Sequence, residues 1–195
     1  MVTRIIAGSA GSLRLATPGP TTRPTSDRVR EAIFSRLEAR EGFHGTILDL
    51  FAGTGALGLE AASRGARHVV MVEHHSGAQK VIRRNIATVS PTLPSATTLQ
   101  AVSARVESYL QAPPTLTVDG VFLDPPYEFE GIEDILSALE PWLTDGAWVV
   151  IERSTRSRAP AWPAGFEPWE DKKYGDTVVY SATWSPKGSQ PPSED

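Results

Sequence analysis

From Thr46 to Glu152 the chain repeats one pattern, a short apolar run followed by a stretch of helical periodicity. The apolar runs are Ile47–Phe51, His68–Glu73, Thr97–Val102, Val121–Asp124 and Trp148–Glu152. Helical patterns fill the gaps at Ala56–Arg64, Gly77–Thr88, Ala104–Leu110 and Ile132–Leu139. Strands so short and so uniformly apolar have no polar face to give to water, so both faces need cover. Helices lying between successive strands supply that cover and bring each next strand back parallel. The repeat therefore predicts an α/β fold with a mostly parallel sheet.

The flanking segments differ. Phe166–Tyr174 and Thr177–Trp184 meet at Gly175-Asp176, which reads as a terminal antiparallel hairpin. Near the start, Arg4–Ala7 and Leu13–Ala16 are joined by Gly8-Ser9-Ala10-Gly11-Ser12 and read as a short β-hairpin. A connector rich in proline and threonine, Thr17–Pro24, leads to a helix capped by Thr25 or Ser26 and running to about Ala39. Its stripe is Val29, Ile33, Phe34 and Leu37. The expected organisation is a basic N-terminal extension over 1–24, one domain over 25–184 and a disordered tail over 185–195, which is rich in proline, serine and charge.

Composition narrows the function. There is no cysteine, hence no disulfide, thiolate metal site or cysteine nucleophile. The four histidines, His44, His68, His74 and His75, lack zinc-site spacing, so no metal is expected. No apolar run reaches the length of a membrane span and no signal peptide is evident, which predicts a cytoplasmic protein with no membrane partner. The net charge of −4 argues against indiscriminate nucleic-acid binding. Its distribution is uneven. Residues 1–40 hold seven arginines against three acids, a net of +4, which leaves −8 on the remainder. An arginine arm on an acidic body suits phosphate contacts, and Arg4, Arg23, Arg28 and Arg30 are the candidates.

Asp49-Leu50-Phe51-Ala52-Gly53-Thr54-Gly55-Ala56-Leu57-Gly58 joins the first strand of the repeat to its helix, and Gly53, Gly55 and Gly58 satisfy G-x-G-x-x-G. Glu73 follows Gly53 by 20 positions and ends the next strand, where a carboxylate can bind ribose hydroxyls. This spacing fits NAD and other adenosine cofactors alike. Asp49 tilts the choice, because a carboxylate there suits an ammonium or sulfonium better than a pyrophosphate.

A second motif, Asp124-Pro125-Pro126-Tyr127, closes the strand Val121–Asp124. The prolines lack N–H donors and stiffen the backbone, so the segment offers carbonyls, a carboxylate and a ring face. That combination suits a planar base carrying an exocyclic amine. A plain proline-rich loop accounts for the same residues if they stand alone. Placed at the switch point of a parallel sheet, beside the glycine loop, the two motifs would meet.

These blocks resemble S-adenosylmethionine-dependent methyltransferases of the Rossmann-like class, and more narrowly the RsmD family of small-subunit (16S) ribosomal RNA guanine-N2 methyltransferases. The likeness runs from about Arg4 to Trp184 and is carried also by Thr22-Arg23-Pro24-Thr25-Ser26-Asp27-Arg28, Val72-Glu73 and Asn85. It implies a seven-stranded sheet with a reversed last strand and S-adenosyl-L-methionine as cofactor. Asp49, Phe51, Gly53, Thr54 and Gly55 would line the cofactor and Glu73 its ribose. Asp124, Pro125, Pro126 and Tyr127 would form the catalytic shelf. Where relatives often carry an acid near adenine, this chain has Ser103, which can still accept a hydrogen bond. The implied partner is 16S rRNA or the small ribosomal subunit, and the size of one small domain with an accessible cleft suits a monomer. The competing readings are N6-adenine methylation of DNA or RNA, a nicotinamide oxidoreductase, and a non-catalytic RNA-binding module.

Overall fold

The computed structural model describes residues 3–17, 27–40 and 42–186. Arg23, the capping positions Thr25 and Ser26 and most of the expected tail lie outside these residues.

The repeat folds as its pattern requires. Helix α1 (Asp27–Arg40) precedes β1 (Thr46–Leu50), α2 (Ala56–Ser63), β2 (His68–Glu73), α3 (Ser76–Val89), β3 (Thr98–Ser103), α4 (Val106–Gln111), β4 (Val118–Leu123), α5 (Ile132–Leu139) and β5 (Leu143–Ser154). The chain ends in β6 (Phe166–Pro168), β7 (Lys172–Tyr174) and β8 (Thr177–Trp184). The sheet order is β3-β2-β1-β4-β5-β8-β6, and β7 also pairs with β8. The first five strands are parallel, and β8 runs antiparallel to β5.

Two apolar layers sandwich the sheet. On one face Ile47, Met71, Phe122 and Val150 pack with Val29, Ile33, Phe34 and Leu37 of α1, Leu59 of α2 and Ile82 of α3. On the other, Leu48, Leu50, Val121 and Val149 pack with Val106 and Leu110 of α4 and Ile135, Leu136 and Leu139 of α5. Alternate residues of each strand thus point to opposite layers.

The seventh sheet position is held by two pieces rather than one strand. Pro168 pairs with Ala182 and Lys172 with Val179, so three residues on one side face two on β8. The extra residue is a bulge. Pro168 has no N–H to give to the ladder, while the Trp169 amide donates to the Ser181 carbonyl at 2.7 Å and its ring packs under Arg36 and Arg40, whose guanidinium carbons lie 5.3 and 4.3 Å from the ring centre.

The N-terminal hairpin is tight, with one bridge between Arg4 and Arg14 and bonds from Ile5 N to Leu13 O and Leu15 N to Thr3 O, both 2.9 Å. It is bolted to α2. The buried Glu60 carboxylate accepts from the amides of Ile6 at 2.6 Å and Ala7 at 3.0 Å, and from Arg64 Nε at 2.7 Å.

Arg30 corrects the expectation of a phosphate contact. It is 0% exposed, and its Nη2 donates to the Arg4 carbonyl at 2.8 Å and to Asp27 at 2.6 Å. Its spacing to Phe34 and Leu37 puts it on the apolar stripe, where it ties α1 to the hairpin instead of meeting solvent.

Candidate active site

Strand order reverses between β1 and β4, and both sequence motifs lie at the carboxyl ends of those neighbouring strands. Leu50 pairs with Leu123, and the amide of Asp124 donates to the Leu50 carbonyl at 3.4 Å. The glycine loop and the proline shelf are therefore adjacent.

The loop leaves β1 through Phe51, whose φ of 60° is left-handed. For a residue with a side chain this costs roughly 1–2 kcal/mol. Its ring rests on Phe129 at 5.0 Å, which links the loop to the segment after the shelf. Gly55 starts α2 with φ 76°. A Cβ there would lie 2.9 Å from Met71 Sδ, and one on Gly58 would lie 3.0 Å from Asp49 Oδ2. Glycines here allow both the left-handed turn and the close approach of α2 to the strands.

Three carboxylates converge on this loop. Asp49 is buried; its Oδ2 accepts from the Gly58 amide at 2.8 Å, and its Oδ1 is buried without a hydrogen-bond partner among the described residues. Burial, helped by the nearby charges of Asp124 and Glu73, pushes its carboxyl up to about 7 against the Gly58 hydrogen bond. Glu73 Oε2 accepts from the Gly53 amide at 3.1 Å and Oε1 from the His75 amide at 2.7 Å. A carboxylate has about four acceptor positions, so Glu73 retains capacity for hydroxyl donors.

Ser103 ends β3 directly opposite Glu73 and is exposed. Thr54 contributes its carbonyl, which accepts from Asn85 Nδ2 at 2.9 Å. On the shelf, Pro125 is buried and Pro126 exposed, and the Pro126 carbonyl accepts from the Phe129 amide at 2.9 Å. Tyr127 is 59% exposed. An aromatic ring so exposed at a strand end is available for stacking.

Sequence reasoning missed two supports of the site. Gln79 Nε2 donates to the carbonyls of Glu73 at 2.8 Å and Val102 at 2.7 Å, which holds the ends of β2 and β3. Asn85 was legible only as part of a likeness; its bonds to Ala16 as well as Thr54 show what it holds. Glu60 carried a readable signal, since it is the single charge within the apolar helix Ala56–Ser63. Among the arm residues, Arg4 and Arg28 are exposed, as is Arg14.

The residues fit a cationic adenosine cofactor. An orphan buried carboxylate oxygen sits under a glycine loop, with further carboxylates beside it. A pyrophosphate would meet repulsion there, whereas a sulfonium or ammonium would be drawn in.

Comparisons with known proteins agree with that chemistry. Residues 3–183 match the family described as conserved hypothetical protein 95. The chain is 34% identical over 178 residues to the ribosomal RNA small subunit methyltransferase D of Escherichia coli K12, covering 90% of this chain and 86% of that one. It is 34% identical over 132 residues to the protein of the same name from Haemophilus influenzae, 67% of each chain. Among solved structures, one described as a methyltransferase of Escherichia coli superposes with TM-score 0.81 at 28% identity, covering 95% of this chain and 99% of that one. A methylase of Haemophilus influenzae gives 0.78 at 26% identity, covering 95% and 100%.

Proposed function

The chain belongs to the conserved hypothetical protein 95 family, and from that premise we propose that it methylates the exocyclic N2 amine of a guanine in small-subunit ribosomal RNA. It is an S-adenosylmethionine-dependent rRNA methyltransferase of the Rossmann-like class, as its likeness to the Escherichia coli enzyme over 90% of the chain indicates. The observation that carries the finer reading is the adjacency of Asp124 to the glycine loop through Leu50.

S-adenosylmethionine supplies an electrophilic methyl on a sulfonium, with a neutral thioether as leaving group. The chain's own task is to prepare the nucleophile. The lone pair of a guanine amine is delocalised into the ring, so the amine must be held and turned. In this reading the Asp124 carboxylate and the Pro125 carbonyl accept its two N–H hydrogens, and Tyr127 stacks on the base. The lone pair then points at the methyl. Such positioning supplies roughly 7–11 kcal/mol. With the methyl transferred and the neutral thioether released, the surplus amine proton would leave by way of Asp124 to water. A carboxylate at this position matches guanine, which offers a ring N–H beside its amine. Asp49 and Glu73 would hold the cofactor's cationic and ribose ends, and the exposed Arg4, Arg14 and Arg28 would meet RNA phosphates. Arg23 remains a candidate outside the described residues. No helix among the described residues is long and apolar enough to cross a membrane, and we place the enzyme in the cytoplasm as a monomer.

The test is transfer of labelled methyl into small-subunit RNA, assembled subunits, DNA and protein, followed by nucleoside digestion. N2-methylguanosine from the small-subunit RNA, lost in Asp124→Ala with cofactor affinity kept, is the expected result. N6-methyladenosine would give the site to the adenine reading, and binding of NAD in place of S-adenosylmethionine would give it to an oxidoreductase.

A further inference from the structure

On the far side of the shelf from the glycine loop lies a cavity of about 690 Å³. This is within the range of roughly 300–1,000 Å³ typical of small-ligand pockets. Its walls are the segment after the shelf, the carboxyl end of β5 and the stretch that follows it, and they set Arg153, Arg156 and Arg158 beside Tyr127 and the acids Glu128, Glu130, Glu133 and Asp176. The cavity thus opens at the ends of β4 and β5, while the glycine loop and Glu73 sit at the ends of β1 and β2. Tyr127, the last residue of the shelf, lines the cavity.

Arg153 shares with the buried Arg30 of α1 a pair of orphaned guanidinium nitrogens, but it is the one that lines a cavity. It is only 6% exposed, yet its Nε and Nη1 are buried with no hydrogen-bond partner among the described residues. Burying charged N–H groups without acceptors is unfavourable unless something enters to accept them. Glu133 also lines the cavity; its Oε1 accepts from the Ala161 amide at 3.1 Å, and that bond, with the charges of Arg158 and Arg153, holds its carboxyl below the usual carboxylate range. That bond and the one from Ser157 Oγ to the Tyr127 carbonyl at 3.4 Å hold the stretch after β5 over the cavity. Arg156 and Arg158 are exposed on that stretch. A lining of arginines and carboxylates matches a whole nucleotide, which carries an anionic phosphate and a base edge with amine and ring donors.

We propose that this cavity is a subsite for the RNA nucleotide adjoining the methylated base, with its phosphate received by Arg153 and flanked by Arg156 and Arg158. The assignment rests on the RNA reading of the neighbouring shelf. With the target base stacked on Tyr127, the next nucleotide has to continue away from the cofactor, and the cavity is what lies there. The subsite would fix which phosphate spacing presents a guanine to Asp124.

The experiment measures RNA binding and methyl transfer for wild type, Arg153→Gln, Arg156→Ala and Arg158→Ala, with small-subunit RNA as probe over a range of salt. Each variant is expected to raise the KM for RNA about 5- to 30-fold. The salt dependence of binding should fall by about one charge per arginine removed, with S-adenosylmethionine affinity as in wild type. Arg156 and Arg158 are exposed, so their variants keep the test open if Arg153→Gln fails to fold. RNA affinity and salt slope unchanged in both exposed variants, while wild type methylates the RNA, would overturn the subsite and leave the shelf reading standing. A wild type that binds and methylates no RNA would overturn both.

Discussion

The side-chain amide of Asn85 donates to the carbonyl of Thr54 at 2.9 Å, so a residue within α3 holds the backbone of the glycine loop. The same amide donates to the Ala16 carbonyl at 3.1 Å, and its oxygen accepts from the Ala16 amide at 2.7 Å. One buried side chain thereby fastens both the cofactor loop and the exit of the N-terminal hairpin. Asn85→Ala removes the partner of three backbone groups. At roughly 1 kcal/mol or more for each, stability should fall by about 3 kcal/mol, read by urea denaturation. Calorimetric titration should show S-adenosylmethionine binding about tenfold weaker. Wild-type affinity in a folded variant would show that the loop does not depend on this bond.

Asp49 gives a pH dependence of defined sign. Its carboxyl is raised, mainly by burial, from 3.8 to about 7. A raised acid contributes stability that is present below its unfolded pKa and lost as pH rises through the folded one. Asp49→Asn lacks that slope. From about pH 4 to about pH 8, the stability difference should therefore move in the variant's favour by on the order of 4 kcal/mol. Equilibrium denaturation at several pH values reads this directly. A cationic cofactor favours the ionised form, so its binding near pH 6 should release close to one proton, seen as a buffer-dependent heat.

Tyr127 separates substrate binding from folding. Being 59% exposed, it can be replaced by alanine with a stability change within about 0.5 kcal/mol. Stacking of a base on an aromatic ring is worth roughly 1–3 kcal/mol, so kcat/KM for RNA should drop about 5- to 150-fold. Cofactor affinity should not move, and Tyr127→Phe should stay near wild type. Equal losses in the alanine and phenylalanine variants would mean that the hydroxyl matters rather than the ring.

Gly55 tests the loop geometry. In Gly55→Ala the new methyl meets a φ of 76° and Met71 Sδ at 2.9 Å. The left-handed backbone alone costs about 1–2 kcal/mol. Cofactor affinity should fall with stability, and a Met71→Ala partner should restore only the share due to the contact. Full restoration by that partner would show that the backbone angle carries none of the loss.

Much of the frame was legible because burial writes itself into local periodicity. Strand β2 and helix α5 have the limits that their patterns predict. Strand β5 starts earlier than its apolar run, at Leu143, because Thr144-Asp145-Gly146 reads as a turn and yet continues the strand. There the Val118–Leu143 pairing is followed by a register shift before Gly120 meets Trp148, a feature set by the neighbouring strand. Arg30 misled for a related reason. Its charge pointed to solvent, but the acceptors that make burial tolerable, Asp27 and the Arg4 carbonyl, include one that only the folded hairpin brings near.

The sequence alone determined the alternating α/β sheet, the glycine loop with its two acids and the proline shelf, since each depends on residues close in the chain. Tertiary structure decided that β1 lies between β2 and β4, which brings Asp49, Glu73 and Asp124 to one loop. It also decided that Asn85 holds that loop and that a buried arginine lines the cavity beyond Tyr127. Strand order and the pairing of distant polar groups are fixed by how whole layers pack, and no local period records them.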